Sequence, residues 1–172
     1  MILIHTALLC EAQSFIEYYK LNKTDSNPKI YANDTLIICI SGVGEDNTIQ
    51  SLNYIFKNFT IEKAFNIGIA GCNNAQINIG SLYSINRHLK EIQSLPLITS
   101  NNVITNSNEV QTTLYDMEGL FFNTLCLNYL SEENIYIFKV VSDHLSNEKL
   151  SKDYIKSLIS KQTIIHKYIN LN

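Results

Sequence analysis

Three carboxylates stand where the chain does not need them for solubility. Asp143 ends the run YIFKVVSD, Tyr136 to Asp143. That run is short, apolar and rich in aromatic and β-branched residues, the pattern of a buried strand. In open α/β sheets, ligands sit outside the carboxyl ends of strands, so an acid there is placed to give up a proton. Asp143 is equally readable as the cap of a following helix, which needs no ligand. Glu118 opens the apolar stretch DMEGLFFNTLC. A Glu in a helix's first turn normally faces water and is stabilised by the dipole; with mostly apolar neighbours, burial or a ligand becomes the better account. Glu11 lies early in a predicted helix, close to the carboxyl end of the first strand. All three fall at strand ends or helix starts, and they are expected to converge on one cleft.

The elements that must position them are set by periodicity. Ile2 to Thr6 reads as a first strand and Ala7 to Lys20 as a helix. Asn22 to Pro28 reads as a polar loop. Lys29 to Tyr31 and Thr35 to Ile40 resemble a hairpin turning at Asn33-Asp34. The second arm runs into SGVGED, Ser41 to Asp46, and a helix continues to about Asn58. Such a strand, glycine loop and helix can present backbone N–H groups to an anion or a polarised water, although glycines also serve plain turns. Glu62 to Ile69 reads as a buried strand opening into a loop with Gly68 and Gly71, which lets backbone approach a ligand or merely turns the chain. Ser81 to Ile85, Pro96 to Ser100 and Thr112 to Tyr115 read as short strands, Asn86 to Leu95 as loop, and Met117 to Leu127 as an apolar helix. Leu150 to Ile169 reads as one terminal amphipathic helix. The expected fold class is α/β: a three-layer sandwich with a mixed central sheet flanked by helices, in a single domain over residues 1–172.

Composition removes several functions. With 13 basic and 16 acidic residues, and a net charge of -3, there is no basic excess for nucleic acid to use. No apolar run approaches the length of a membrane span, and the apolar N-terminus lacks a basic region before it. The cysteines, Cys10, Cys39, Cys72 and Cys126, form no CxxC pair. They read as buried reduced thiols, not a metal site, and the expected location is the cytoplasm. Charged residues are only 17% of the chain. Together with the apolar helix from Met117, this suggests surface covered in a homodimer. Lys139 lies inside the Asp143 strand, to pair with a carboxylate or to face an interface.

Five stretches now occur in one order: ALLCEA (Ala7 to Ala12), SGVG (Ser41 to Gly44), NIGIAG with NIGSLYSI (Asn66 to Ile85), DMEG (Asp116 to Gly119) and VVSD (Val140 to Asp143). This order resembles the nucleoside phosphorylase superfamily of the purine phosphorylase type, most of all the methylthioadenosine/S-adenosylhomocysteine nucleosidases. The resemblance spans nearly the whole chain and implies a nucleoside phosphorylase-like fold and the cleavage of a nucleoside's N-glycosidic bond by water. It implies Asp143 as the acid at N7 of the leaving purine, with Ser142 orienting it. It implies Glu118 on the ribose hydroxyls, Met117 against the sugar, and Glu11 as the base that activates water. Val103 and Ile104 fall where the nucleosidases surround the base, and the loops at Gly42 and Gly71 lie near the nucleophile. No metal or organic cofactor is implied; the partner is a small nucleoside or purine.

The departures shape the alternatives. The chain is shorter than the family norm, with the deficit after Ile85. Ile69 replaces a small hydroxyl residue, and Val103 offers no ring for a purine. The only arginine, Arg87, lies outside the matched stretches, which favours water over phosphate. A phosphate-dependent phosphorylase, or a degenerate homologue that binds a nucleoside or purine without turnover, are the other readings.

Overall fold

A computed structural model of the protein describes residues 1–170. Its centre is β5 (Lys63–Cys72), KAFNIGIAGC, almost entirely buried. β1 (Ile2–Thr6) pairs parallel with its first half and β9 (Ile135–Asp143) pairs parallel along nearly its whole length. Strands buried on both faces read as continuous apolar runs, which is why these three were legible. β1 also pairs parallel with β4 (Leu36–Ile40), and β4 antiparallel with β3 (Lys29–Ala32) as the expected hairpin. Beyond the end of β1, β8 (Leu114–Asp116) takes its place beside β5, antiparallel, and β7 (Leu97–Thr99) lies next to it. β6 (Leu82–Ser84) covers the outer edge of β9. The result is a nine-stranded mixed sheet.

Alternation along these strands feeds two helical layers. Ile4, Ile38, Phe65 and Phe138 pack with α1 (Leu9–Tyr18), α4 (Lys152–Ser160) and α5 (Ile164–Ile169). Their neighbours Leu3, Ile37, Ala64 and Ile137 point the other way, against α2 (Glu45–Asn58) and α3 (Gly119–Cys126). This is the expected three-layer sandwich. All four cysteines are buried and free. Among the described residues, no helix is long and apolar enough to cross a membrane.

Three expectations are corrected. Asn22–Ser26 is not loop but β2, an exposed edge strand pairing antiparallel with β3. Its side chains NKTDS carry no apolar alternation: the strand is held by backbone pairing and by the Tyr54 hydroxyl, which donates to Asp25 at 2.7 Å. The terminal helix is two: α4 ends at Ser160 and α5 starts at Ile164, while the apolar stripe continues across the break through Ile159 and Ile165, both buried. The helix expected from Met117 starts at Gly119, so Glu118 is its N-cap residue and not part of its first turn.

Candidate active site

Glu11 is the third residue of α1, and its side chain folds back over the β1–α1 turn. One carboxylate oxygen, Oε2, accepts from the backbone N–H of Leu8 at 2.9 Å and of Ala7 at 3.1 Å; the other, Oε1, accepts from Ile69 N–H on β5 at 3.0 Å. The group is 3% exposed. Burial raises its pKa, against those three hydrogen bonds and the nearby Lys139 ammonium. A carboxylate offers about four lone-pair positions, so roughly one is left for a ligand. The room for Glu11 comes from Gly68: a Cβ there would lie 2.9 Å from Oε1.

β8 delivers the next group. Asp116 is buried and fully engaged. One oxygen accepts from the Thr99 hydroxyl; the other accepts from Gly119 N–H at 2.8 Å and meets the Lys139 ammonium at 2.6 Å. Two residues on, Glu118 accepts from Gly44 N–H at 2.8 Å. Burial pushes the Glu118 carboxyl up to about 7, with Lys139 and the Gly44 N–H pulling it down and Asp116 and Glu11 pushing it further up. The SGVG loop thus meets the site through Gly44. The expectation for Gly42 is corrected: it does not line the cavity, and its N–H is spent on the Ala7 carbonyl at 3.1 Å.

Asp143 ends β9 just after a register shift: Ala70 faces Val141, but Gly71 faces Asp143. The extra residue is Ser142, a bulge that re-aims the Asp143 side chain. The Ser142 hydroxyl donates to Asp143 Oδ2 at 2.7 Å and also lies 3.2 Å from the Ala70 carbonyl. Asp143 Oδ1 accepts from Ser146 N–H at 2.9 Å. This closes a turn, not a helix: α4 begins only at Lys152, capped by Ser151 through Tyr154 N–H. The helix-cap reading of Asp143 is set aside.

These elements enclose one cavity of about 240 Å³. Glu11, Met117, Glu118, Ser142, Asp143, Val103, Ile104 and Gly71 all line it. Residues more than 130 positions apart in the chain are therefore brought together as expected. Sequence reasoning missed Asp116, Tyr115 and Glu148 in the lining; of the two readings of Lys139, pairing with a carboxylate is the one found, with Asp116 as the partner. A lysine within an otherwise apolar strand was the available signal for that buried pair. No lining residue is Lys, Arg or His. Among the described residues, no group of three or more His, Cys, Asp or Glu is arranged to hold a metal. Chemically, the cavity offers an acid beside a hydroxyl at the end of β9 and two buried carboxylates at the ends of β1 and β8. Such a set suits a ligand that gains positive charge at one part and needs a proton at another.

No protein-family model matches the sequence, and no curated protein matches it. Solved structures do. The Chlamydia trachomatis protein MTAN superposes with a TM-score of 0.78 at 16% identity, covering 99% of this chain and 98% of that one. Its adenine-bound form gives 0.75 at 18% identity over 98% and 95%. The 5′-methylthioadenosine/S-adenosylhomocysteine nucleosidase of Helicobacter pylori, with butyl-thio-DADMe-Immucillin-A, gives 0.79 at 12% identity over 98% and 96%. The chain has the nucleoside phosphorylase-like fold of these nucleosidases from end to end.

Proposed function

We propose that this protein hydrolyses the N-glycosidic bond of a purine nucleoside of the methylthioadenosine or S-adenosylhomocysteine type. The observation that carries the proposal is the convergence of Asp143, Glu118 and Glu11 on one cavity. In this reading, Asp143 delivers a proton to N7 of the departing purine and Ser142 orients it. Glu118 accepts hydrogen bonds from the ribose hydroxyls and steadies the positive charge that grows on the sugar. Met117 packs against the sugar. The remaining acceptor position of Glu11 takes the proton of the attacking water, and a raised pKa makes Glu11 a stronger base for that step. Val103 and Ile104 border the base, and the Gly71 backbone borders the nucleophile.

The lining also supports water over phosphate. Glu11, Asp116, Glu118, Asp143 and Glu148 face the cavity with no cationic side chain among the lining residues. The nearest ammonium, Lys139, is taken by Asp116. A phosphate dianion entering there meets acidic side chains and no cation among the lining residues. The Chlamydia trachomatis relative in fold is found bound to MTA and to adenine, which fits a purine nucleoside as the ligand here. The test is incubation with a panel of purine nucleosides, with and without phosphate, and then chromatography. Free base released at the same rate in both conditions is expected; base release only with phosphate, or none from any nucleoside, overturns the proposal.

A further inference from the structure

The family resemblance puts an aromatic residue around the base at Val103, which has no ring and is 64% exposed. The fold supplies a ring from elsewhere. Among the described residues, two buried apolar residues, Ala7 and Tyr115, belong to none of the three packed core clusters, and both line the cavity. An aromatic ring shielded from water but absent from the core is covered by the cavity's own walls. Its hydroxyl is held by the Ser107 hydroxyl, from the irregular segment 100–113 that forms one wall.

The sheet places this ring opposite the acid. Tyr115 pairs with Gly71 from one side of β5, and Asp143 pairs with Gly71 from the other. Their backbones are therefore roughly 10 Å apart, twice the spacing of neighbouring strands. Directly paired residues of an antiparallel ladder project to the same face. A Cβ on Gly71 would lie 3.0 Å from Leu145 Cδ2 and 3.3 Å from Asp143 Oδ1, so the Tyr115 side chain and the Asp143 carboxylate share that face. Between them lies a residue with no side chain. The gap has an aromatic side chain on one side, an acid on the other and the Leu145 methyl over the Gly71 backbone, an apolar floor for a flat heteroaromatic ring.

We infer that Tyr115 is the base-binding aromatic residue of this site, holding the purine against its ring while Asp143 addresses the purine edge. The inference rests on the functional reading above. It assigns specificity to a side chain on β8.

Adenine binding to the whole protein, measured by calorimetry, tests it. Base–aromatic contact of this kind converts to roughly ten- to hundredfold in affinity. Tyr115→Leu is expected to lose that much adenine affinity and to raise KM for a cleaved nucleoside more than it lowers kcat. Tyr115→Phe, which keeps the ring, is expected to stay within about threefold of wild type. Tyr129→Leu, at an exposed tyrosine outside the cavity, is expected to bind as wild type does. Should Tyr115→Leu misfold, wild-type protein labelled with fluorotyrosine decides the matter. The resonance that Tyr115→Phe removes must be the one that shifts most on adding adenine. An active wild type whose Tyr115→Leu variant binds adenine normally, or whose Tyr115 resonance is unmoved by adenine, overturns this inference alone. A wild type that neither releases base from nucleosides nor binds adenine overturns the functional reading and this inference with it.

Discussion

The Lys139 ammonium meets the Asp116 carboxylate at 2.6 Å with about 1% of each side chain exposed. The two come from strands on opposite sides of β5, and they meet near Gly68, where a Cβ would sit 3.4 Å from Lys139 Nζ. Burial alone would lower the lysine's pKa; the carboxylates of Asp116, Glu118 and Glu11 outweigh it and hold the value above the ordinary one. One ammonium therefore serves three carboxylates. It is the central counter-charge of the site without lining the cavity.

Lys139→Met keeps most of the side chain's bulk and removes the charge. It leaves the buried Asp116 side chain without its ammonium partner, which costs about 3–5 kcal/mol. Urea unfolding is expected to show a lower midpoint and an unfolding free energy smaller by that amount. Adding Asp116→Asn should recover part of the loss, because the lone buried charge is then gone. Full stability in the single variant would show that the pair is unimportant to the fold.

Glu118 makes stability depend on pH. Its folded pKa, about 7, lies above the unfolded value near 4.5. Between those values the folded chain holds a proton that the unfolded chain has lost, so this group's contribution to stability falls as pH rises through the window. Glu11, also raised by burial, acts in the same direction. Thermal melts of the ligand-free protein are expected to show less stability lost from pH 5 to pH 7.5 in Glu118→Gln than in wild type. Binding of a ribose hydroxyl pair should show the opposite trend. The ionised form is the better acceptor, so affinity increases with pH through about 7 in wild type and is flat in Glu118→Gln.

Asp143→Asn is expected to leave the fold intact and to cut base release by about 10²–10⁴-fold. The amide retains the shape and can still hydrogen-bond N7, so nucleoside affinity should survive, but no proton reaches the leaving base. Glu118→Gln should weaken both affinity and rate, since a neutral acceptor replaces a charged one. Stopped assays of both variants beside wild type distinguish the two patterns. Near-normal turnover in Asp143→Asn would remove Asp143 from the mechanism.

Gly68→Ala adds one methyl group, 2.9 Å from Glu11 Oε1. Glu11 is pinned by three backbone N–H groups and cannot yield freely. The variant is expected to lose about 1–3 kcal/mol and most of its base-releasing activity. A differential melt and the nucleoside assay read the two effects separately.

A homodimer is expected in solution. Leu120 on α3, Leu127 at its C-cap and Ile98 on the adjoining β7 are exposed, an apolar surface that association would cover. Light scattering at micromolar concentration should give twice the mass of one chain, and Leu120→Glu should give the monomer. A wild-type monomer would contradict this.

Where residues pack, their types announced it. β1, β5 and β9 are buried on both faces and read as apolar runs, and the motifs at their ends contain Glu11, Gly71 and Asp143. Glu118 was legible because a carboxylate among Met117, Leu120 and Phe122 needs an explanation. β2 was not legible, because an exposed edge strand held mainly by backbone pairing asks for no apolar alternation. The break after Ser160 was hidden for the opposite reason: no Pro or Gly marks it, and the apolar stripe runs on through it. Tyr115 looked like one more strand residue. Its role emerges only when β8 and β9 are seen on opposite sides of Gly71, a relation between segments that no local pattern encodes.

Glu11 is tied to the Ile69 N–H of β5, and Asp143 is carried over Gly71, two residues further along that strand. β5 thus works as a ruler: the two groups are indexed to graduations about 6.6 Å apart along it. Loops around the mouth, including 100–113, can change length or composition without altering this interval. Substitutions that reshape the opening should retune which nucleoside is admitted, while the interval between base and acid changes only if β5 itself is rebuilt.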